Sequence, residues 1–418
     1  MYTEIGKRMS KYEHYSIDDV KKSSSRNLFT VVSTFAGGGG SSTGYRLAGG
    51  KVIAINEFVE EAIKTYSMNF PDTKVIPGDI KKITGQDLLD AAKLKPGELD
   101  ILDGSPPCSA FSVAGKREKN WKGATKYDSE SYFDFETGEI ISSGGIEVKS
   151  GVKKYSDDQV VEAIEDLFFE YIRIAKEIKP KVIIAENVKG ITMGEARKKL
   201  TEFQNAFEQL GYLVTHHVLN AADYGVPQAR ERLFFVCVRE DVAEKIGLSF
   251  LNMSSMTYPE PTTPKHIGIK DAIDHLENDP EEEKELLDFV EGSFQKKFVE
   301  LLPFNPTRHT KPSDPEFRDR NPKGSCFNMI RPAIQLPSPT LTQAGQQKGV
   351  SGVFHYAKNR KLTIRELKVL MSIPDDYKLT GKFDQQAERL GRMVAPKMMA
   401  ALASNVYEKI LKPYKESL

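Results

Sequence analysis

The chain has 418 residues, enough for two or three domains, and its 59 Lys and Arg balance 59 Asp and Glu to a formal net charge of +0. That balance advertises neither nucleic acid nor a membrane surface, so any basic face must be local. The three cysteines, Cys108, Cys237 and Cys326, are odd in number and far apart, which argues against a disulfide framework or a Cys-x-x-Cys metal site and points to a reducing compartment. No apolar run approaches the roughly 20 residues of a membrane span and no signal-peptide pattern opens the chain, so a soluble cytoplasmic protein is expected.

Met1–Arg26 is polar, weakly helical around Ser16–Lys22, and reads as a frayed end rather than an arm. Leu28–Phe35 is β-branched and apolar, stops at Gly37-Gly38-Gly39-Gly40, and precedes a helix over Ser41–Leu47. Then follow a strand at Val52–Asn56, a helix at Glu60–Asn69, a strand at Lys74–Ile76, a helix near Gln86–Leu94 and a strand at Leu99–Leu102. The alternation resumes with an amphipathic helix over Asp157–Lys179, a strand at Val182–Ala185, a helix at Glu195–Leu210, and strands at Leu213–Leu219 and Leu233–Val238, this last pair antiparallel. Such alternation predicts an α/β fold with a doubly wound sheet.

From about Glu240 to Thr340 the chain is proline-rich and loses its strand alternation, which marks a second, smaller, loop-rich module. Within it Pro280–Leu302 reads as one amphipathic helix with Leu286, Leu287, Val290, Phe294, Phe298 and Leu301 as its apolar stripe. Arg308–Arg331 sets Arg308, Lys311, Arg318, Arg320, Lys323 and Arg331 among turn formers, a pattern that suits a phosphate- and base-reading surface or simply a solvated loop.

Cys108 lies in Asp103-Gly104-Ser105-Pro106-Pro107-Cys108, just past the strand Leu99–Leu102, at the sheet edge where reacting groups converge. Pro106 and Pro107 stiffen the segment that aims it. A nucleophile there needs nearby cations or donors to become thiolate; a small buried hydrophobe is the competing reading. The loop Phe35–Gly40 joins a strand to a helix, and Glu57 ends the next strand twenty positions after Gly37. This is nucleoside-cofactor geometry, with glycines for close backbone approach and a carboxylate for ribose hydroxyls. Gly78-Asp79-Ile80 can reach the base edge of an adenosine, and no Lys-Ser/Thr pair follows the glycines as in a phosphate loop. Glu186-Asn187-Val188 follows the strand Val182–Ala185, so its carboxylate emerges at the same edge and suits proton donation. Gln228-Ala229-Arg230-Glu231-Arg232 brings two guanidinium groups to the sheet, for salt bridges or for chemistry.

Taken in order, Phe35–Gly40, Gly104–Cys108, Glu186–Val188, Gln228–Arg232 and Arg360–Tyr377 strongly resemble the motifs of the DNA (cytosine-5) methyltransferases along nearly the whole chain. The resemblance implies the Rossmann-like doubly wound sheet of S-adenosylmethionine-dependent methyltransferases with a smaller target-recognition domain. The implied activity is site-specific methylation of C5 in a cytosine flipped out of double-stranded DNA. Cys108 is then the nucleophile toward C6, Glu186 the contact to N3 and the exocyclic amine, and Arg232 the contact to O2. Phe35, Gly37, Gly39, Glu57, Phe58, Asp79, Ile80 and Pro107 carry over as the cofactor site. Arg230, Lys116, Arg117, Arg318 and Arg320 are the expected DNA contacts, with Arg230 suited to a phosphate or to positioning the recognition domain. No metal is implied. A monomer is expected, with a cognate restriction endonuclease as a candidate companion.

The implied division is an extension over 1–26, a catalytic cofactor-binding domain over 27–240, a target-recognition domain over 241–342 and a segment over 343–418 that completes the catalytic domain. Two features depart from the family. Arg392 stands where the last motif usually has Asn, and is expected to pair with the cofactor carboxylate. The stretch 116–156 is an unusually long insertion in which Ser131–Ile141 reads as a hairpin turning at Thr137-Gly138. It either decorates the surface or grips DNA, alongside Lys116, Arg117, Lys119, Trp121 and Lys122. A tRNA cytosine-5 methyltransferase and a catalytically silent DNA-binding regulator remain alternatives.

Overall fold

In the computed structural model, which describes residues 12–107, 131–134, 139–142, 157–194, 196–293, 296–311, 314, 329–346 and 351–418, the apolar runs become strands of one sheet. The first half holds α1 (Ile17–Ser24), β1 (Thr30–Thr34), α2 (Gly40–Leu47), β2 (Lys51–Glu57), α3 (Glu60–Asn69), β3 (Lys74–Pro77), α4 (Gly85–Ala92) and β4 (Ile101–Gly104). After the hairpin strands β5 (Ser131–Asp134) and β6 (Glu139–Ser142) come α5 (Asp157–Ile178), β7 (Val182–Val188), α6 (Ala196–Glu208), β8 (Tyr212–Asn220), β9 (Gln228–Ala229) and β10 (Glu231–Arg239). Then follow α7 (Glu240–Lys245), α8 (Met253–Thr257), α9 (Ile269–Ile273), α10 (Pro280–Glu291), α11 (Lys296–Leu301), β11 (Met329–Ile330), β12 (Ser338–Pro339) and β13 (Gly352–Val353). The chain ends in α12 (Ile364–Leu370), α13 (Phe383–Arg392), α14 (Pro396–Val406) and α15 (Lys412–Glu416).

The sheet order is β3-β2-β1-β4-β7-β10-β8, with β10 antiparallel to both its neighbours. This is the doubly wound α/β sheet expected. Winding reverses between β1 and β4, which are adjacent and parallel, so a crevice opens at their carboxyl ends. Val31, Ile101, Ile184, Phe234 and Val236 line one face, covered by α1, α2 and α14. Val32, Leu102, Ile183 and Phe235 line the other, against Phe168 of α5 and Phe203 of α6, whose rings stack 3.7 Å apart. Burial on both faces explains why the strands read as continuous apolar runs.

Several elements differ from expectation. β7 runs on through Glu186-Asn187-Val188, and β10 begins at Glu231, so Glu186 and Arg232 sit inside paired strands rather than beside them. The helix expected over Pro280–Leu302 is two, because Gly292 closes α10 by donating its N–H to Asp288 O. Leu286 and Val290 of its stripe are buried, Leu287 is exposed, and Phe294 lies outside the described residues. Arg331 is buried rather than presented to a ligand. Its guanidinium donates to the carbonyls of Val299, Leu302 and His355, and it stitches a small core of Val290, Val299, Leu302, Met329 and Phe354. The expected hairpin forms with Asp134 opposite Glu139, and its tip lies outside the described residues. Among the described residues no helix is long and apolar enough to cross a membrane.

Residues 12–26, expected as a frayed end, are docked: Tyr12, Ile17 and Val20 are buried and α1 packs on α2. A capping box starts the helix, with Asp19 N donating to Ser16 Oγ at 3.2 Å and Ser16 N to Asp19 Oδ2 at 2.8 Å. Ser16→Ala should therefore lower stability by about 1 kcal/mol, read as a shifted urea midpoint at constant slope.

Candidate active site

The crevice is floored by the loop after β1. Phe35 adopts φ +52°, an uncommon conformation for a bulky residue and one that recurs at functional sites. Gly37 and Gly39 are also left-handed, at +52° and +92°. A Cβ on Gly37 would meet nothing within 4 Å, so the loop is open on that side. On Gly38 it would strike the Met393 and Arg389 side chains, and on Gly40 the Val394 carbonyl. Those two glycines therefore admit the segment between α13 and α14, which backs the loop. Tyr377 OH donates to Gly38 O at 2.5 Å from the same side.

Glu57, 5% exposed, anchors the loop from β2. Its Oε2 accepts from Gly37 N at 2.7 Å, and its Oε1 from Phe58 N and Val59 N at 2.9 Å each. Phe58 follows as an exposed ring. Asn56 Nδ2 donates to the carbonyls of Ile76 and Gly78, fixing the loop after β3. Gly78, at φ +123°, again has open space where a Cβ would be. Asp79 caps a short 3-10 turn by accepting from Lys81 N at 3.0 Å. Ile80 is buried in the core, so it offers a ligand its backbone rather than its side chain.

On the far side of the crevice, Gly104 of β4 is in register with Ala185 of β7, so the chain leaves β4 beside Glu186. Pro106 is buried and Pro107 exposed; Cys108 lies outside the described residues. Arg232 Nε meets Glu186 Oε1 at 2.9 Å, the two side chains being 15% and 12% exposed. Burial draws the Arg232 pKa down while Glu186 opposes the shift. The pair thus sets a carboxyl and a guanidinium side by side at the carboxyl edge of the sheet, a hydrogen-bonding pattern able to grip a planar polar base.

Arg230 is buried rather than presented at a surface. It is 1% exposed, with Nη1 donating to Leu341 O and Nη2 to Gly391 O, both at 2.9 Å. Burial, with Arg232 adding repulsion and Glu186 opposing both, pulls its pKa well down. Neighbouring Gln228 donates to Leu370 O and accepts from Leu341 N, so the Gln-x-Arg pair ties Leu341, Leu370 and Gly391 to the sheet. Arg392 forms an ion pair with Glu388 one turn back, at the surface. Lys116, Arg117, Arg318 and Arg320 lie outside the described residues.

The sequence reading missed Tyr377, Asn56 and above all Asp103. Asp103 is 1% exposed on β4 and accepts from Ser33 Oγ, Ser41 Oγ and Tyr45 OH. Its signal was an acid continuing an apolar strand run.

A family model described as C-5 cytosine-specific DNA methylase matches residues 29–126 and 150–408. The Type II methyltransferase M1.HphI of Haemophilus parahaemolyticus is 30% identical over 378 residues, covering 90% of this chain and 86% of that protein. The Type II methyltransferase M.Eco47II of Escherichia coli is 30% identical over 395 residues, covering 91% and 79%. Among solved structures, a prophage-encoded DNA modification methyltransferase of E. coli superposes with a TM-score of 0.61 at 18% identity, covering 91% of this chain and 99% of that one. DNMT2 of Spodoptera frugiperda gives 0.54 at 16% identity, covering 93% and 99%. The family match spans both halves of the sheet and the strands that carry Glu186 and Arg232, and the chain belongs to the C-5 cytosine-specific DNA methylase family.

Proposed function

We propose that this methylase modifies a cytosine flipped out of double-stranded DNA at a defined sequence, using S-adenosylmethionine and a covalent bond between Cys108 and C6. The observation that carries this reading is the Glu186–Arg232 pair, 2.9 Å apart beside the exit of β4. C5 of cytosine is a poor nucleophile. Attack by the Cys108 thiolate at C6 opens the C5–C6 double bond and makes C5 electron-rich. Glu186 donates to N3 as negative charge builds on the ring, and Arg232 meets it at O2. Loss of the C5 proton and expulsion of the thiolate then restore the ring.

S-adenosylmethionine, when bound, supplies the electrophilic methyl group. The residues present fit it: the open faces at Gly37 and Gly78 are spaces that any Cβ there would begin to fill. Glu57 Oε2, which accepts only from Gly37 N, keeps lone-pair capacity for a ribose hydroxyl beside the loop it holds. Phe58 stands exposed for stacking on adenine, with Asp79 beside the adenine edge. Phe35, Gly39, Ile80 and Pro107 complete the set. Lys116, Arg117, Arg318 and Arg320 are the proposed DNA contacts, and 241–342 the target-recognition domain. The Type II names of the relatives support a restriction endonuclease as a companion in the cell, and the same reading takes the enzyme as a cytoplasmic monomer.

Tritiated methyl transfer to duplex DNA and to tRNA tests the reading. Label should enter duplex DNA only, and mapping the modified cytosines should return one sequence context. Label in tRNA alone would transfer the reading to the RNA enzymes, and label in neither would favour a silent regulator.

A further inference from the structure

Asp103 stands near the carboxyl end of β4, with Oδ2 2.6 Å from Ser33 Oγ on β1 and Oδ1 3.0 Å from Tyr45 OH and 3.3 Å from Ser41 Oγ on α2. All three donors are neutral, and among the described residues no Lys, Arg or His forms an ion pair with it. Burial pushes its pKa up to about 7, against the three hydroxyls, and Glu186 adds to the rise. The titratable groups that face it are Tyr45 from α2, Tyr171 from α5 and Glu186 from β7. Burial holds both phenols well above their usual range, so they stay neutral. Arg232, whose strand flanks β7, is already paired with Glu186. An amide or a hydroxyl could knit β1, β4 and α2 together without a buried charge. A carboxylate at such a position calls for a counter-charge that the protein does not supply.

Its place says where that charge arrives. Asp103 is in register with Ile184, and Glu186 lies two residues further along β7 on the same face. At about 3.3 Å of rise per residue and about 4.8 Å between strands, the two Cα atoms are about 8 Å apart. Ser41, one of its donors, sits in the first turn of α2, directly after the glycine loop. A methyl donor lying on that loop and facing a base held by Glu186 would occupy the same crevice, on the Asp103 side of the sheet edge.

We propose that Asp103 is the buried counter-charge for a cationic cofactor, a positioning residue that makes the site prefer S-adenosylmethionine, with its sulfonium, to the uncharged thioether of S-adenosylhomocysteine. The inference rests on the cofactor reading above. It gives the enzyme a physical means of holding the substrate form and letting go of the product form. Two unit charges about 8–12 Å apart at an effective dielectric constant near 20 would favour the sulfonium by about ten- to thirtyfold.

Calorimetric titration of both ligands into the wild-type protein and into Asp103→Asn at pH 8 separates the possibilities. Asp103→Asn should weaken S-adenosylmethionine about tenfold and leave S-adenosylhomocysteine within about twofold. A merely structural carboxyl would weaken both alike. Ser33→Ala keeps the carboxyl but removes its shortest hydrogen bond, so the carboxyl needs a higher pH to ionise. Its preference for the sulfonium should fall at pH 7 and return at pH 8.5, with S-adenosylhomocysteine unaffected. Equal losses for the two ligands, or an unchanged ratio in both variants, would overturn the role of Asp103 and leave the cofactor assignment standing. A wild-type protein that binds neither would sink both.

Discussion

Cys108→Ala should take methyl transfer to duplex DNA below detection, a loss of about 10⁴-fold or more, while the protein still retains DNA and cofactor. The expectation follows from the chemistry of the base: without a bond at C6 nothing makes C5 electron-rich, and Glu186 and Arg232 can only polarise a ring that has not been attacked. Glu186→Gln is the informative companion. It preserves shape and one hydrogen bond to Arg232 but removes the transferable proton, so the rate should fall by about 10²- to 10⁴-fold. Duplex DNA carrying 5-fluorocytosine at the target separates the two roles, because the adduct cannot lose fluorine as it loses a proton. The wild-type protein should yield a denaturation-resistant complex and Cys108→Ala none. A complex in that variant would move the nucleophile elsewhere.

The strands were legible because helices bury both faces of the sheet, which leaves runs such as Leu28–Phe35 and Leu99–Leu102 without polar interruption. The same logic truncated β7 and β10 at the residues that matter most. Glu186, Asn187 and Arg232 are polar, yet their backbones continue the ladder, because main-chain pairing is indifferent to the chemistry the side chains carry. The glycine loop, Glu57 and the Glu186–Arg232 pair were found as sequence signals and come together at the crevice. What stayed hidden depends on partners far along the chain. Gly38 and Gly40 accommodate the segment around Met393 and Val394, more than 350 residues later. Asp103 needs hydroxyls from β1 and α2 before its burial has meaning. The start of α1 was legible after all, since Ser16-Ile17-Asp18-Asp19 is a capping-box pattern, whereas its docking depends on contacts with α2.

Arg230 makes the second large prediction, because an exposed cation and a buried one fail in different ways. A phosphate contact replaced by alanine would weaken DNA binding uniformly, reduce the salt slope by about one, and leave the fold untouched. In the structure Arg230 instead donates to the buried carbonyls of Leu341 and Gly391. Around it, β9 pairs with β12, Thr340 Oγ1 donates to Ala229 O, and Gln228 holds Leu341 N. Arg230→Ala therefore strips donors from two carbonyls, at about 1–3 kcal/mol each, and opens a cavity of arginine size. Relief from burying a cation, whose Nε has no hydrogen-bond partner, returns part of this. The net loss should be about 3–5 kcal/mol, seen as a lower denaturant midpoint. Arg230→Lys, which can reach one carbonyl but not both, should fall between. Because the stitch joins Leu341, at the end of the proposed target-recognition domain, to the chain two residues before Arg232, the surviving folded fraction should show a raised KM for DNA. Cofactor affinity should stay within about twofold, since neither Glu57 nor the glycine loop touches Arg230. An unchanged midpoint with a reduced salt slope would return Arg230 to the DNA surface.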